Sequence, residues 1–93
     1  MAYHYHTKRV VAEAPVTIGA HLGRWAVRRD FSVIRIASIT GATRATVYSW
    51  FAGQPVSNAY KSAVKRLTTI LKAAPDSDAA WSAACRAFSK QVT

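Results

Sequence analysis

Ser32 to Gly53 constrains this chain more than any other stretch. It reads S-V-I-R-I-A-S-I-T-G-A-T-R-A-T-V-Y-S-W-F-A-G. A short apolar helical pattern runs from Val33 to Ile39 and breaks at Gly41, and a second starts near Arg44 and stops at Gly53. Gly41 falls where a helix end calls for a left-handed backbone, which glycine takes without steric cost. Thr43 is a good N-cap for the second helix, because its hydroxyl can accept from amides left unpaired in the first turn. Val47, Trp50 and Phe51 recur at spacings of three and four and so share an inward face. At about 100° per residue, Ala45, Tyr48, Ser49 and Ala52 point the other way, with Arg44 and Thr46 on the flanks. In the first helix, Ile34, Ile36, Ala37 and Ile39 are expected to be buried, with the small Ala37 at the closest crossing of the two helices.

Two short helices around a glycine turn are the sequence form of a helix-turn-helix. The pattern from Ala37 to Gly53, A-x-x-T-G-A-T-R-A-T-V-Y-x-W-x-x-G, resembles the helix-turn-helix of the Cro/phage-repressor family, the XRE-like regulators. Upstream, Val16 to Ser32 resembles that family's first helix, so the likeness extends over about Val16 to Leu71. Two positions depart from it. Many members carry glutamine where Val33 stands and an acid where Phe51 stands, which bears on how sequence would be read. The resemblance implies a DNA-binding transcriptional regulator of phage type, a repressor or activator. Its second motif helix, residues 44–52, would enter the major groove of double-stranded DNA. Arg44, Ala45, Tyr48 and Ser49 would then face base edges, and Thr43 and Thr46 phosphate or base. Such modules usually act as homodimers on near-palindromic sites.

Charge agrees with an anionic partner. Lys and Arg number 13 against 4 Asp and Glu, for a net charge of +9 in 93 residues. Between Arg24 and Arg66 stand eight basic residues and a single acid, Asp30. Such lopsided charge most often serves nucleic acid. Arg35 lies in the charged set around the motif, and Asn58, Lys61 and Lys65 open the following helix, where a loop often reaches phosphates. A solvated basic face is the plainer reading of Lys61 and Lys65.

The rest of the chain predicts one small all-α domain of five helices. Residues 1–14 lack a sustained period and read as a flexible basic arm, either a frayed terminus or a segment that follows DNA. Residues 15–74 form the DNA-binding domain. Pro15 and Thr17 start a helix carrying Ile18, Leu22, Trp25 and Ala26 to about Arg29. Pro55 stops the motif's second helix, and Ser57 or Asn58 caps the next, whose stripe is Tyr60, Ala63, Val64, Leu67, Ile70 and Leu71. Residues 75–93 form the last helix, capped by Asp76 or Ser77. Its stripe of Trp81, Ala84, Cys85, Phe88 and Val92 either closes the core or forms a dimer interface.

Several classes are disfavoured. Lone Cys85 makes neither an internal disulfide nor a zinc site, and His4 and His6 lack a third ligand, so no metal or other cofactor is expected. Glu13, Asp30, Asp76 and Asp78 stand in capping or loop contexts without an inward pair, so no catalytic residues are expected. No apolar run approaches the about 18 residues a membrane span needs, and no signal peptide opens the chain. A cytoplasmic setting, in a bacterial or phage-infected host cell, fits these features. The alternative from another class is a protein-binding module that docks on a host transcription protein or acts as an antitoxin.

Overall fold

The computed structural model describes residues 2–88. Six helices account for their regular structure: α1 (Tyr5–Glu13), α2 (Ile18–Arg29), α3 (Val33–Thr40), α4 (Arg44–Phe51), α5 (Asn58–Ala73) and α6 (Ser77–Ala87). The all-α expectation holds, but the helices number six rather than five.

The additional helix is α1, inside residues 1–14, where a flexible arm was expected. His4 caps it, its Nδ1 accepting from the His6 amide at 3.3 Å, and Arg9 pairs with Glu13 one turn later at 3.1 Å. Val11 is the residue of α1 that becomes buried, and the segment's other anchor, Tyr3, precedes the helix. One inward residue makes no period, so the sequence pattern gave no helical signal here. The Tyr3 hydroxyl donates to the carbonyl of Phe31, the Ala2 amide donates to the Asp30 carboxylate, and the Tyr3 ring lies 5.8 Å from that of Phe51. Burial, then the nearby Tyr48 and Asp30, pushes the Tyr3 phenol well above its ordinary pKa. The chain's start is thus clasped across the corner between α2 and α3.

α2 is the central element, packed against α1, α4 and α5. Thr17 caps it, accepting from the Ala20 amide at 3.1 Å. Its close approach to α4 depends on two glycines. A Cβ at Gly19 would lie 2.7 Å from the Cβ of Trp50, and one at Gly23 would lie 3.0 Å from the Phe51 ring. The tightest crossing is therefore made by α2 on α4, and Ala37, expected at the crossing of α3 and α4, is only half-buried.

In α3 the expected burial is shifted by one residue. Val33 is 5% exposed and Ile34 is 63% exposed. The buried set Val33, Ile36 and Ile39 centres on a direction about 160° away from Ile34 at 100° per residue, so Ile34 faces solvent.

α5 and α6 complete the domain. Arg29 reaches from α2 to the carbonyls of Leu71 and Lys72, at 2.9 and 3.3 Å, and satisfies the end of α5. Asp76 caps α6 by accepting from the Ala79 amide at 2.8 Å. Ala80, Ala84 and Cys85 are fully buried, while Trp81 and Phe88 pack half-buried at the core's edge. Ala84 and Cys85 of that stripe are turned into the core, while Trp81 and Phe88 keep part of their surface open; Val92 lies outside the described residues. With Cys85 buried, a cross-link through it to a second copy would require the helix to move.

Candidate nucleic-acid interface

The turn between α3 and α4 is fixed by local chemistry. Gly41 sits at φ 81°, the left-handed conformation expected there, and its amide returns to the Ala37 carbonyl at 2.9 Å. The Thr40 hydroxyl donates to the Ile36 carbonyl at 2.8 Å and accepts from the Ala42 amide at 3.3 Å. Ala42 is buried beneath the turn. Thr43 then accepts from the Thr46 amide at 3.1 Å, the expected cap.

From that start, α4 divides into two faces. Val47, Trp50 and Phe51 are buried, with Trp50 at 2% exposure, and Trp50 and Phe51 rest on the α2 glycines. Arg44, Ala45, Tyr48 and Ala52 are exposed, and Thr46 and Ser49 are half-buried. Tyr48 is 47% exposed, and its ring meets that of Phe51 edge-on at 6.4 Å. The hydroxyls are ordered by the helix itself. Thr43 donates to the Thr46 hydroxyl oxygen at 2.9 Å, and Ser49 donates to the Thr46 carbonyl at 2.6 Å. The Thr46 hydroxyl, accepting here, keeps its own proton for another partner, and the Ser49 oxygen keeps acceptor capacity. Arg44 makes no hydrogen bond or ion pair among the described residues. The face is a narrow strip of small side chains flanked by the Arg44 guanidinium, a phenol and hydroxyls, on a buried aromatic backing.

The start of α5 is held beside this element, because the Tyr60 ring lies 5.4 Å from that of Trp50. Asn58 and Lys61 are exposed on either side of Tyr60 in sequence. The Ser57 side chain makes no capping bond. Lys65 is exposed one turn beyond Lys61, on the wall of a separate cleft between α5 and the start of α2.

Arg35 does not join the group. Its guanidinium donates to the Ser77 carbonyl at 3.4 Å, lies 3.6 Å from the Asp78 carboxylate and stacks 5.1 Å over the Trp81 ring. Its charge is directed to α6. Other arginines are used likewise. Arg24 donates to the Ala14 carbonyl at 2.8 Å, and Arg28 and Arg66 stack over Trp25 and Phe88 at 5.1 and 5.0 Å. Arg44, Lys61 and Lys65 are the members of the Arg24–Arg66 basic set left without an intramolecular partner among the described residues. Each of the four acids has a partner inside the fold: Glu13 with Arg9, Asp30 with the Ala2 amide, Asp76 with the Ala79 amide and Asp78 with Arg35.

Among the described residues no three His, Cys, Asp or Glu side chains gather where a metal ion could be held, and no helix is long and apolar enough to cross a membrane. No protein family, curated protein or solved structure matches this chain.

Proposed function

We propose that this protein binds double-stranded DNA sequence-specifically, as a phage-repressor-like helix-turn-helix regulator of transcription whose motif is α3, the Gly41 turn and α4. The division of α4 supports the reading most directly: Val47, Trp50 and Phe51 are inward, and small or hydrogen-bonding groups, with Arg44 and Tyr48 the large ones, line the outside. An α-helix is about 10–12 Å across with its side chains, which the roughly 12 Å wide major groove admits. Within that groove Arg44, Tyr48 and Ser49 meet base edges, with Ala45 allowing close approach. Thr43 and Thr46 contact phosphate or base.

Asn58, Lys61 and Lys65 serve the phosphate backbone in this assignment, Asn58 as a neutral amide donor and the two lysines as cations whose charge no acid of the fold offsets. Arg35 contributes field rather than contact, since its guanidinium is stacked on Trp81. One such helix spans only a few base pairs, so two copies on a near-palindromic site, about 34 Å apart, give useful discrimination.

Selection of bound duplexes from a random pool tests this function. An enriched motif, especially an inverted repeat, is expected. Six or more phosphate contacts also imply a loss of about a thousandfold in affinity between about 50 and 200 mM salt. No enrichment and a flat salt response would instead favour a protein-binding module.

A further inference from the structure

The basic residues of α5 and the start of α2 enclose a cleft of about 620 Å³, apart from the outer face of α4. Val16, Ile18 and His21 line one wall, and Lys65, Thr69 and Lys72 the other. Its volume falls in the range of about 300–1,000 Å³ usual for small-molecule sites. The mouth carries Val16, 92% exposed, and half-buried Ile18 lies within, so the cleft offers apolar surface beside two ammonium groups and an imidazole.

The charge in this cleft is uncompensated. No acid lines it, and all four acids are engaged elsewhere, with Arg9, the Ala2 amide, the Ala79 amide and Arg35. Two of the three lining threonine hydroxyls cannot donate freely, because Thr68 donates to the Val64 carbonyl at 2.9 Å and Thr69 to the Lys65 carbonyl at 3.2 Å, while Thr17 only accepts, from the Ala20 amide. Lys65, Lys72, His21 and the Thr17 hydroxyl are therefore the side-chain donors that remain. Partial desolvation, then the charges of Lys72 and Arg24, holds the His21 imidazole below its ordinary pKa. Like charges facing one another disfavour further protonation, and an anion between them reverses that.

We propose that this cleft binds a small organic anion, a carboxylate or phosphate monoester carried on a short apolar tail. The head pairs with Lys65, Lys72 and protonated His21, and the tail covers Val16 and Ile18. The assignment does not rest on DNA binding; Lys65 alone is shared with the proposed phosphate contacts.

The test is an NMR titration of the 93-residue chain, free of DNA, with hexyl phosphate, with hexanol and inorganic phosphate as controls. Hexyl phosphate should saturate shifts at His21, Lys65, Thr69 and Lys72 with a dissociation constant below about 1 mM, and both controls should bind more weakly. Binding should raise the His21 titration midpoint by about half a unit or more, because the imidazolium gains a counter-ion. Lys72→Glu should weaken binding about tenfold or more. Val16→Asp, a change in an exposed loop, should also weaken it and raise the His21 midpoint without ligand. Equal binding of hexanol would reduce the cleft to an apolar groove, and equal binding of inorganic phosphate to a diffuse counter-ion site. Either result overturns the proposal, as do wild-type affinity in both variants or no shift at millimolar hexyl phosphate.

Discussion

α3 and α4 are both eight residues long, sit on either side of Gly41 and carry one arginine each, yet the fold uses them differently. On α3 the arginine is taken into the structure, where Arg35 bonds to Ser77, faces Asp78 and covers Trp81. On α4 the arginine has no partner among the described residues, and the outer face is small, polar and backed by Trp50 and Phe51. An arginine with several donors and a planar face satisfies a helix end and an aromatic ring together, so charge alone does not mark it as a ligand group. What distinguishes α4 is a guanidinium that no other group among the described residues engages, beside hydroxyls bonded only within the helix and its cap.

The contrast can be broken from its strongest side first. Trp50→Ala empties the inner face of α4 and should cost about 3–5 kcal/mol, read as a large fall in melting temperature. A small loss would mean that α4 is not anchored to α2 through Trp50. Next, Arg44→Ala and Tyr48→Ala should each cost about 1–3 kcal/mol in binding to a selected duplex. Their stability should stay within about 0.5 kcal/mol of wild type, as for exposed positions without special roles. Equal losses on selected and scrambled duplexes would make both residues backbone contacts.

Arg35→Ala should show the reverse, a stability loss of about 1 kcal/mol from the stacking and hydrogen bond together. Its DNA affinity should fall slightly and equally on all sequences, and a sequence-dependent fall would move Arg35 into the reading face. The smallest effect is expected from Ile34→Gln on the outside of α3, within about 0.5 kcal/mol in a chemical melt. A substantial loss there would mean that Ile34 is covered by something outside the single chain.

Most helix starts were legible because they are written in local chemistry. Thr17, Ser32, Thr43 and Asp76 each cap the helix they precede, and Gly41 takes the left-handed turn. The two faces of α4 were legible for a similar reason, since a fixed period separates Val47, Trp50 and Phe51 from Ala45, Tyr48 and Ser49. α1 was not, because Tyr3 and Val11 depend on partners outside the segment. The phase of α3 was ambiguous between Val33 and Ile34, both apolar and adjacent, and packing decided it. Arg35 meets Ser77 and Asp78 more than forty residues away in sequence, a contact no local pattern encodes. The cleft between α2 and α5 also brings together His21 and Lys72, residues with no local sequence relation.

The most direct measurement is a backbone amide map of the isotopically labelled protein, recorded as a selected duplex is added. If α4 reads DNA, the largest shifts fall on Arg44, Ala45, Tyr48 and Ser49, with smaller ones at Thr43, Asn58 and Lys61 and little change along α6. Shifts confined to α5 and α6, or none on α4 at saturation, would contradict the assignment of α4 as the reading helix.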